Sequence, residues 1–352
     1  MRTYLSQCIA GLQEVALRAL QADLESVDPV RVEDGMIVYR TSEPAAKVRA
    51  LPYLNNSFLV LHTVAGKQAQ TADAALGAIV HHRGLDAALR ATRAGRERTF
   101  RLFISSENEL VSGPPQVVSQ LRTLVQNATG LRFHAAHADA EYWVMRRRSG
   151  SAFFLKRITR RGRTEKDLAQ GELRPELAHL LCRLSEPAAG DVFLDPFAGS
   201  GAIPFARLRY PYNLGYAFDQ DAAAVAAMKE RKKSLPAAER ARAEKLIIRQ
   251  ADALAIEKID DGFVDKVVTD PPWGLYRELP DPDAFYRAAL RELARVTKPS
   301  GIIVLLTAQD EAADAAVSAL GTRVRLEESH RLLVSGKKAR VFRLRRTDAE
   351  ND

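Results

Sequence analysis

Apolar positions along this chain change their period midway. Between Leu5 and Leu20 a stretch that opens with small residues repeats Leu12, Val15, Ala16, Ala19 and Leu20 at helical spacing, which predicts an opening helix. Strand-like runs at 27–32 and 36–40 follow, and Asp34-Gly35 between them is a hairpin signal. A short helix over 48–54 and a strand over 57–64 complete a small α+β unit. Next come a helical region over 72–91, a strand over 99–105 with alternating Phe100, Leu102 and Ile104, and an amphipathic helix over 115–129 that stops at Gly130. Strands over 140–147 and 151–158, turning at Ser149-Gly150, close a second α+β unit.

From about Glu172 the pattern becomes strand, Gly-rich turn and helix in repetition. Short apolar runs at 192–195, 214–218, 246–249, 264–269 and 301–306 are separated by helical segments, which predicts a doubly wound, mostly parallel sheet. The tail departs from that rule. After a helical segment at 308–320, runs at 323–328 and 339–345 have no crossover-length segment between them and Ser335-Gly336 in the turn, so they must form an antiparallel hairpin.

A length of 352 residues predicts two or three domains, and 46% hydrophobic with 27% charged residues is a globular composition. Cys8 and Cys182 lie far apart with no CxxC, so a disulfide framework and a cysteine metal site are not expected. His81, His82, His134 and His137 lack companions at metal spacing, and no metal is expected. With no leader-like N-terminus and no run of 18 apolar residues, the expected setting is the cytoplasm, without membrane contact.

Charge is unevenly distributed. Residues 1–170 hold 24 Lys and Arg against 16 Asp and Glu, while 171–352 hold 28 against 28, so the whole +8 lies in the first half. A basic module joined to a neutral one fits a polyanion grip serving a part that does chemistry; a merely soluble basic surface is the alternative that charge alone leaves open. The densest run is Arg146, Arg147, Arg148, Lys156, Arg157, Arg160, Arg161, Arg163 and Lys166, interrupted only by Glu165. It suits a phosphate track, with Phe153 and Phe154 placed either to stack or to pack.

Four strand ends carry the candidate chemistry. Asp195-Pro196-Phe197-Ala198-Gly199-Ser200-Gly201 follows the first strand of the second half and precedes a helix, where glycines let backbone approach a ligand. Asp219 ends the next strand, placed to accept ribose hydroxyls, whereas Asp221 reads as a helix cap. Asp252, in Gln250-Ala251-Asp252-Ala253, stands where a carboxylate can accept an adenine amine. Singly, either acid is an ordinary loop residue; together with the Gly loop they form a pattern. Asp270-Pro271-Pro272-Trp273-Gly274 is the sharpest signal. An exocyclic base amine is a poor nucleophile, and a rigid Pro-Pro turn can offer it the Asp270 carboxylate and the Pro271 carbonyl as two acceptors with no competing donor. Trp273 can stack on a base taken out of its helix.

DPFAGSG, Asp219, QADA and DPPWG together resemble the class I S-adenosylmethionine-dependent methyltransferases that act on amines, and more narrowly the THUMP-domain RNA guanine-N2 methyltransferases. The resemblance implies a C-terminal Rossmann-like methyltransferase domain over 191–352, preceded by a ferredoxin-like domain over 1–60, a THUMP RNA-binding domain over 61–160 and a linker with an approach helix over 161–190. The first-half likeness, in FRLFISSENEL and ATGLR, is more diffuse than the catalytic motifs. It further implies S-adenosylmethionine held by Arg174, Asp195, Phe197, Gly199, Gly201, Asp219 and Asp252, with Asp270, Pro271, Pro272 and Trp273 catalytic. Leu173-Arg174-Pro175 resembles the family's approach to the methionine end, and Trp273 stands where tyrosine is commoner. The implied reaction is methylation of the guanosine N2 amine in tRNA, in the acceptor stem such as at position 6. Arg146, Arg147, Arg148, Lys156, Arg157, Arg160, Arg161 and Arg163 would bind the RNA, and a monomer is favoured. Ribosomal RNA or an adenine N6 amine as target, or an RNA-binding protein that no longer catalyses, are the rivals. Cys182, in an apolar helical stretch, offers no nucleophile for pyrimidine methylation.

Overall fold

The computed structural model describes residues 1–92, 95–159, 172–275 and 278–347. In the first half, strands β1 (Arg2–Gln7), β2 (Asp28–Glu33), β3 (Met36–Thr41), β4 (Asn56–Ala65), β5 (Thr99–Ser106), β6 (Glu109–Leu110), β7 (Arg132–Phe133), β8 (Ala140–Arg147) and β9 (Ser151–Arg157) form one sheet. Its order is β2-β3-β1-β4-β9-β8-β5-β6, with β7 beside β5. The accompanying helices are α1 (Gln13–Asp23), α2 (Ala45–Arg49), α3 (Ala72–Val80), α4 (Leu85–Arg90) and α5 (Pro115–Thr129).

Three expected elements and one boundary change here. The opening helix is replaced by β1 and then α1, because Tyr4, Leu5 and Ser6 are all fully buried between β3 and β4; a strand covered on both faces shows no alternation. The region 72–91 breaks at Gly84 into α3 and α4. The helix expected over 48–54 begins earlier, after the extended Pro44, and ends at Arg49 ahead of Leu51-Pro52, since the residue before a proline disfavours helical geometry. The boundary placed at residue 60 also falls inside β4, which pairs with β1 on one edge and β9 on the other, so the two α+β units share a single sheet. Leu76, Ile79, Leu89, Leu121 and Val125 of α3 to α5 pack with Phe100, Tyr142, Val144 and Phe154 of that sheet.

The second half runs α6 (Pro175–Leu184), β10 (Val192–Asp195), α7 (Ala202–Arg207), β11 (Leu214–Asp219), α8 (Ala222–Lys233), α9 (Ala237–Ala243), β12 (Leu246–Gln250), β13 (Val264–Thr269), α10 (Pro282–Val296), β14 (Thr297–Thr307), α11 (Asp310–Ala319), β15 (Val324–Val334) and β16 (Lys337–Arg346). Strand order is β12-β11-β10-β13-β14-β16-β15. The first five are parallel, β16 runs antiparallel to β14, and β15 and β16 form the expected hairpin. Because the winding reverses between β10 and β13, the loops leaving these two strands part and open a crevice at their carboxyl ends. Beneath it Leu194, Val267, Tyr286, Leu290, Ile303 and Phe342 form the core.

The compact units do not divide cleanly at mid-chain. One comprises residues 1–7 and 20–161, the other 8–19 and 162–352. In the second, Gly11 (φ +89°) lies so close to β15 that an added Cβ would stand 2.0 Å from the Arg331 carbonyl oxygen, and Arg18 pairs with Glu328 at 2.8 Å.

Candidate active site

Four strand ends, those of β10 to β13, build a cleft lined by Phe197, Gly199, Asp219, Asp252, Asp270 and Phe285, with Pro196, Gln220, Ala253, Leu254 and Pro272 between them. The loop after β10 is held from below. Asp195 is 1% exposed, and its Oδ1 accepts from the Phe197 N–H at 3.2 Å and the Thr269 hydroxyl at 2.7 Å, tying the β10 loop to the end of β13. Its Oδ2 has no partner among the described residues. Asp195 thus shapes the loop from within, and the cofactor role expected for its side chain is corrected to that of a buried support. Gly199 and Gly201 adopt φ of +50° and +82°, the left-handed region that glycine enters without steric cost. At Gly199 an added Cβ would meet nothing within 4 Å, so the space a side chain would occupy is left open at the cleft wall. At Gly201 it would stand 2.7 Å from the Phe205 ring; this glycine serves the close packing of α7.

Asp219 closes β11 with both oxygens oriented: Oδ2 accepts from the Gly199 N–H at 2.8 Å and Oδ1 from the Asp221 N–H at 2.9 Å. Each oxygen keeps a second lone pair, which suits a vicinal diol. Asp221 caps α8 through Ala223, as its position predicts. Asp252 is exposed, and one oxygen accepts from the Leu254 N–H at 2.9 Å.

Asp270 lies at the far wall. The Trp273 indole N–H donates to its Oδ1 at 2.7 Å, so the tryptophan expected only to stack has its ring edge on the carboxylate. Burial raises the Asp270 carboxyl to about 8; the Trp273 bond opposes this and the nearby Asp195 adds to it. Asp195 rises to about 7 for the same reason, with Thr269 and Phe197 opposing. Among the described residues lining the cleft there are three carboxylates and no Lys or Arg. Such a wall repels phosphate and favours a cation with hydroxyl and amine donors, which is the chemistry of S-adenosylmethionine with its sulfonium, ammonium, ribose and adenine.

The sequence missed Phe285, which reaches the cleft from α10 and meets the Phe197 ring at a centroid distance of 5.7 Å. Nothing at its own position distinguishes it from a core residue of an amphipathic helix. Gln220 was missed as well; its place directly after the strand-end Asp219 is the signal that could have found it. Arg174 stands at the N-cap of α6 with its side chain 3.6 Å from Glu176.

Part of the basic run is paired within the protein. Lys156, expected to hold RNA, is 7% exposed at its side chain, bonded to Glu97 at 2.5 Å and to the Thr92 carbonyl at 2.8 Å. Arg157 is held by Glu141 and Asn56, Arg146 by Glu107, Ser106 and the Ala69 carbonyl, and Arg147 by Asn108 and the Asp34 carbonyl. Lys156 and Arg157 are committed to largely buried carboxylates, so drawing either to a phosphate would strand its partner, whereas Arg146 and Arg147 pair with the exposed Glu107 and Asn108, which water can satisfy. Arg148, with a side chain 90% exposed, stays available beyond its contact with Glu107. Arg160, Arg161, Arg163 and Lys166 lie outside the described residues.

Among the described residues no helix is long and apolar enough to cross a membrane, and no group of His, Cys, Asp and Glu could hold a metal ion. Residues 161–336 match the family UPF0020, described as RMKL-like, methyltransferase domain. A curated relative, the tRNA (guanine(6)-N(2))-methyltransferase THUMP3 of Bos taurus, is 31% identical over 187 residues; the match spans 50% of this chain and only 36% of that protein. Among solved structures, TrmN from Thermus thermophilus superposes with a TM-score of 0.75 at 23% identity over 98% of this chain and 100% of its own. SMU.472, a methyltransferase crystallised with SAH, gives 0.65 at 13% identity over 97% of each chain. The fold is therefore shared over nearly the full length, and half of the chain carries the family's sequence. With a glycine-lined acidic cleft at the switch point of this fold, the chain belongs to the RMKL-like methyltransferase family.

Proposed function

We propose that this protein methylates the exocyclic N2 amine of a guanosine in tRNA. The observation that carries the reading is the Asp270-Pro271-Pro272-Trp273 turn at the cleft wall, where Asp270 keeps Oδ2 and Pro271 its carbonyl without a hydrogen bond among the described residues. Two acceptors on one rigid turn match the two N–H groups of an amine, and orienting that amine is the larger part of what the turn can contribute. The Asp219 carboxylate takes the ribose diol and Asp252 the adenine amine. S-adenosylmethionine supplies an electrophilic methyl group and departs as S-adenosylhomocysteine. Asp270 then holds the proton that the nitrogen gives up, which its raised affinity for protons supports. Preference for guanine in tRNA is supported by the likeness to the bovine relative, whose name specifies guanine 6.

Nucleoside mass spectrometry of RNA size fractions from cells with and without the protein tests this reading. Loss of N2-methylguanosine from the tRNA fraction is the expected result, and restoration by the Asp270→Ala variant is not expected. Loss of N6-methyladenosine, or a change confined to ribosomal RNA, would replace the proposed target.

A further inference from the structure

The turn that carries Asp270 is held by a relay of groups from α10, from the end of β14 and from the segment between β14 and α11. Gln309, between β14 and α11, donates from Nε2 to the Trp273 carbonyl at 2.6 Å. Its backbone N–H donates to the Thr307 hydroxyl at 2.9 Å. Thr307 lies 2.6 Å from the Tyr286 hydroxyl, which in turn reaches the Pro272 carbonyl at 3.3 Å. Only one ordering satisfies every group: Thr307 accepts from Gln309 and donates to Tyr286, and Tyr286 donates to Pro272. Tyr286 and Thr307 are fully buried, so the relay is shielded from water.

Tyr286 occupies the Pro272 carbonyl, Gln309 the Trp273 carbonyl, and the indole of Trp273 occupies Asp270 Oδ1. Neither proline has an N–H to offer. What the relay leaves open, among the described residues, is one carboxylate oxygen and the Pro271 carbonyl.

Resting on the amine-methylation reading above, we propose that Gln309, Thr307 and Tyr286 are positioning residues for the transfer step, fixing Trp273 so that its indole N–H pins Asp270 Oδ1 and presents Oδ2 with the Pro271 carbonyl to the amine. Trp273 is then more than a stacking plate. Phenylalanine in its place keeps the ring and loses the pin; glutamate in place of Gln309 keeps the shape and sets an acceptor against an acceptor.

The experiment uses the full chain with tRNA under single-turnover conditions, beside equilibrium binding of S-adenosylmethionine and thermal melting. Trp273→Phe and Gln309→Glu are expected to lower the transfer rate by roughly ten- to a hundredfold, the scale on which small displacements of a reacting pair act, while cofactor Kd stays within about twofold. Gln309→Lys, which restores a donor, is expected to recover most of the Gln309→Glu loss. Because the indole bond favours the ionised carboxylate, Trp273→Phe is also expected to move the rising limb of the rate–pH profile to higher pH, which a purely structural role would not do. Unchanged rates, or cofactor affinity lost in proportion to rate, would overturn the relay. If the wild-type protein methylates a different amine, the guanine reading fails while the variant ratios still judge the relay.

Discussion

Asp270 lines the cleft and Asp195 lies buried behind the loop, with no Lys or Arg among the described lining residues, and that shortage sets their chemistry. With carboxyls near 7 and 8 against the usual 3.8, both hold protons in the ligand-free protein through much of the neutral range. The folded chain binds protons that the unfolded chain has already released, so stability falls as pH rises from about 4 to about 8. A cationic cofactor favours the ionised forms and offsets that loss. Titration calorimetry with S-adenosylmethionine at pH 7, in two buffers of different ionisation enthalpy, is expected to show proton release, and affinity is expected to climb toward pH 8. Asp270→Asn should diminish the release. A binding enthalpy independent of buffer would mean that Asp270 does not face the cofactor's charge.

At the scale of elements, the segment that precedes α1 is as much a part of the methyltransferase unit as its own hairpin. Gly11 leaves no room for a side chain beside the Arg331 carbonyl, and its φ of +89° adds backbone strain for any other residue. Gly66 makes a useful contrast, since it has φ +64° and nothing within 4 Å of an added Cβ. Gly66→Ala is expected to cost about 1 kcal/mol, the usual scale for the conformation alone. Gly11→Ala is expected to cost more and to weaken cofactor binding alongside the melting temperature, because the segment must lift off β15. Equal melting shifts for the two variants would show that the contact with β15 contributes nothing.

For the whole molecule, the charge excess in the first half is real, yet part of its densest run is spent internally. The reading of the first half as an RNA grip therefore narrows to cations such as Arg148. Arg148→Glu is expected to raise the tRNA concentration needed for half-maximal rate and to flatten its salt dependence, because one phosphate contact fewer releases one counterion fewer. Lys156→Met is expected instead to lower the melting temperature, leaving Glu97 without its partner. If Arg148→Glu leaves both the RNA requirement and the salt slope unchanged, this part of the surface does not grip RNA. Cutting the chain at 172 would not separate the two functions, since residues 8–19 would be lost from the second unit.

Sequence by itself determined what depends on neighbours in the chain. The doubly wound sheet, the terminal hairpin, α5 with its stop at left-handed Gly130, and the placing of Gly199, Asp219, Asp252 and Asp270 at successive strand ends all follow from local period and turn chemistry. Tertiary structure alone decided what depends on partners distant in sequence. β1 was hidden because burial on both faces erases alternation, and Phe285 because an inward aromatic on α10 looks the same whether it meets core or cleft. Lys156 reads as a free cation until Glu97 closes on it, 59 residues away. The indole edge that grips Asp270, and Gln309 that holds the indole from 36 residues away, have no signature along the chain, since a hydrogen bond is fixed by distance and direction in space and not by spacing in sequence.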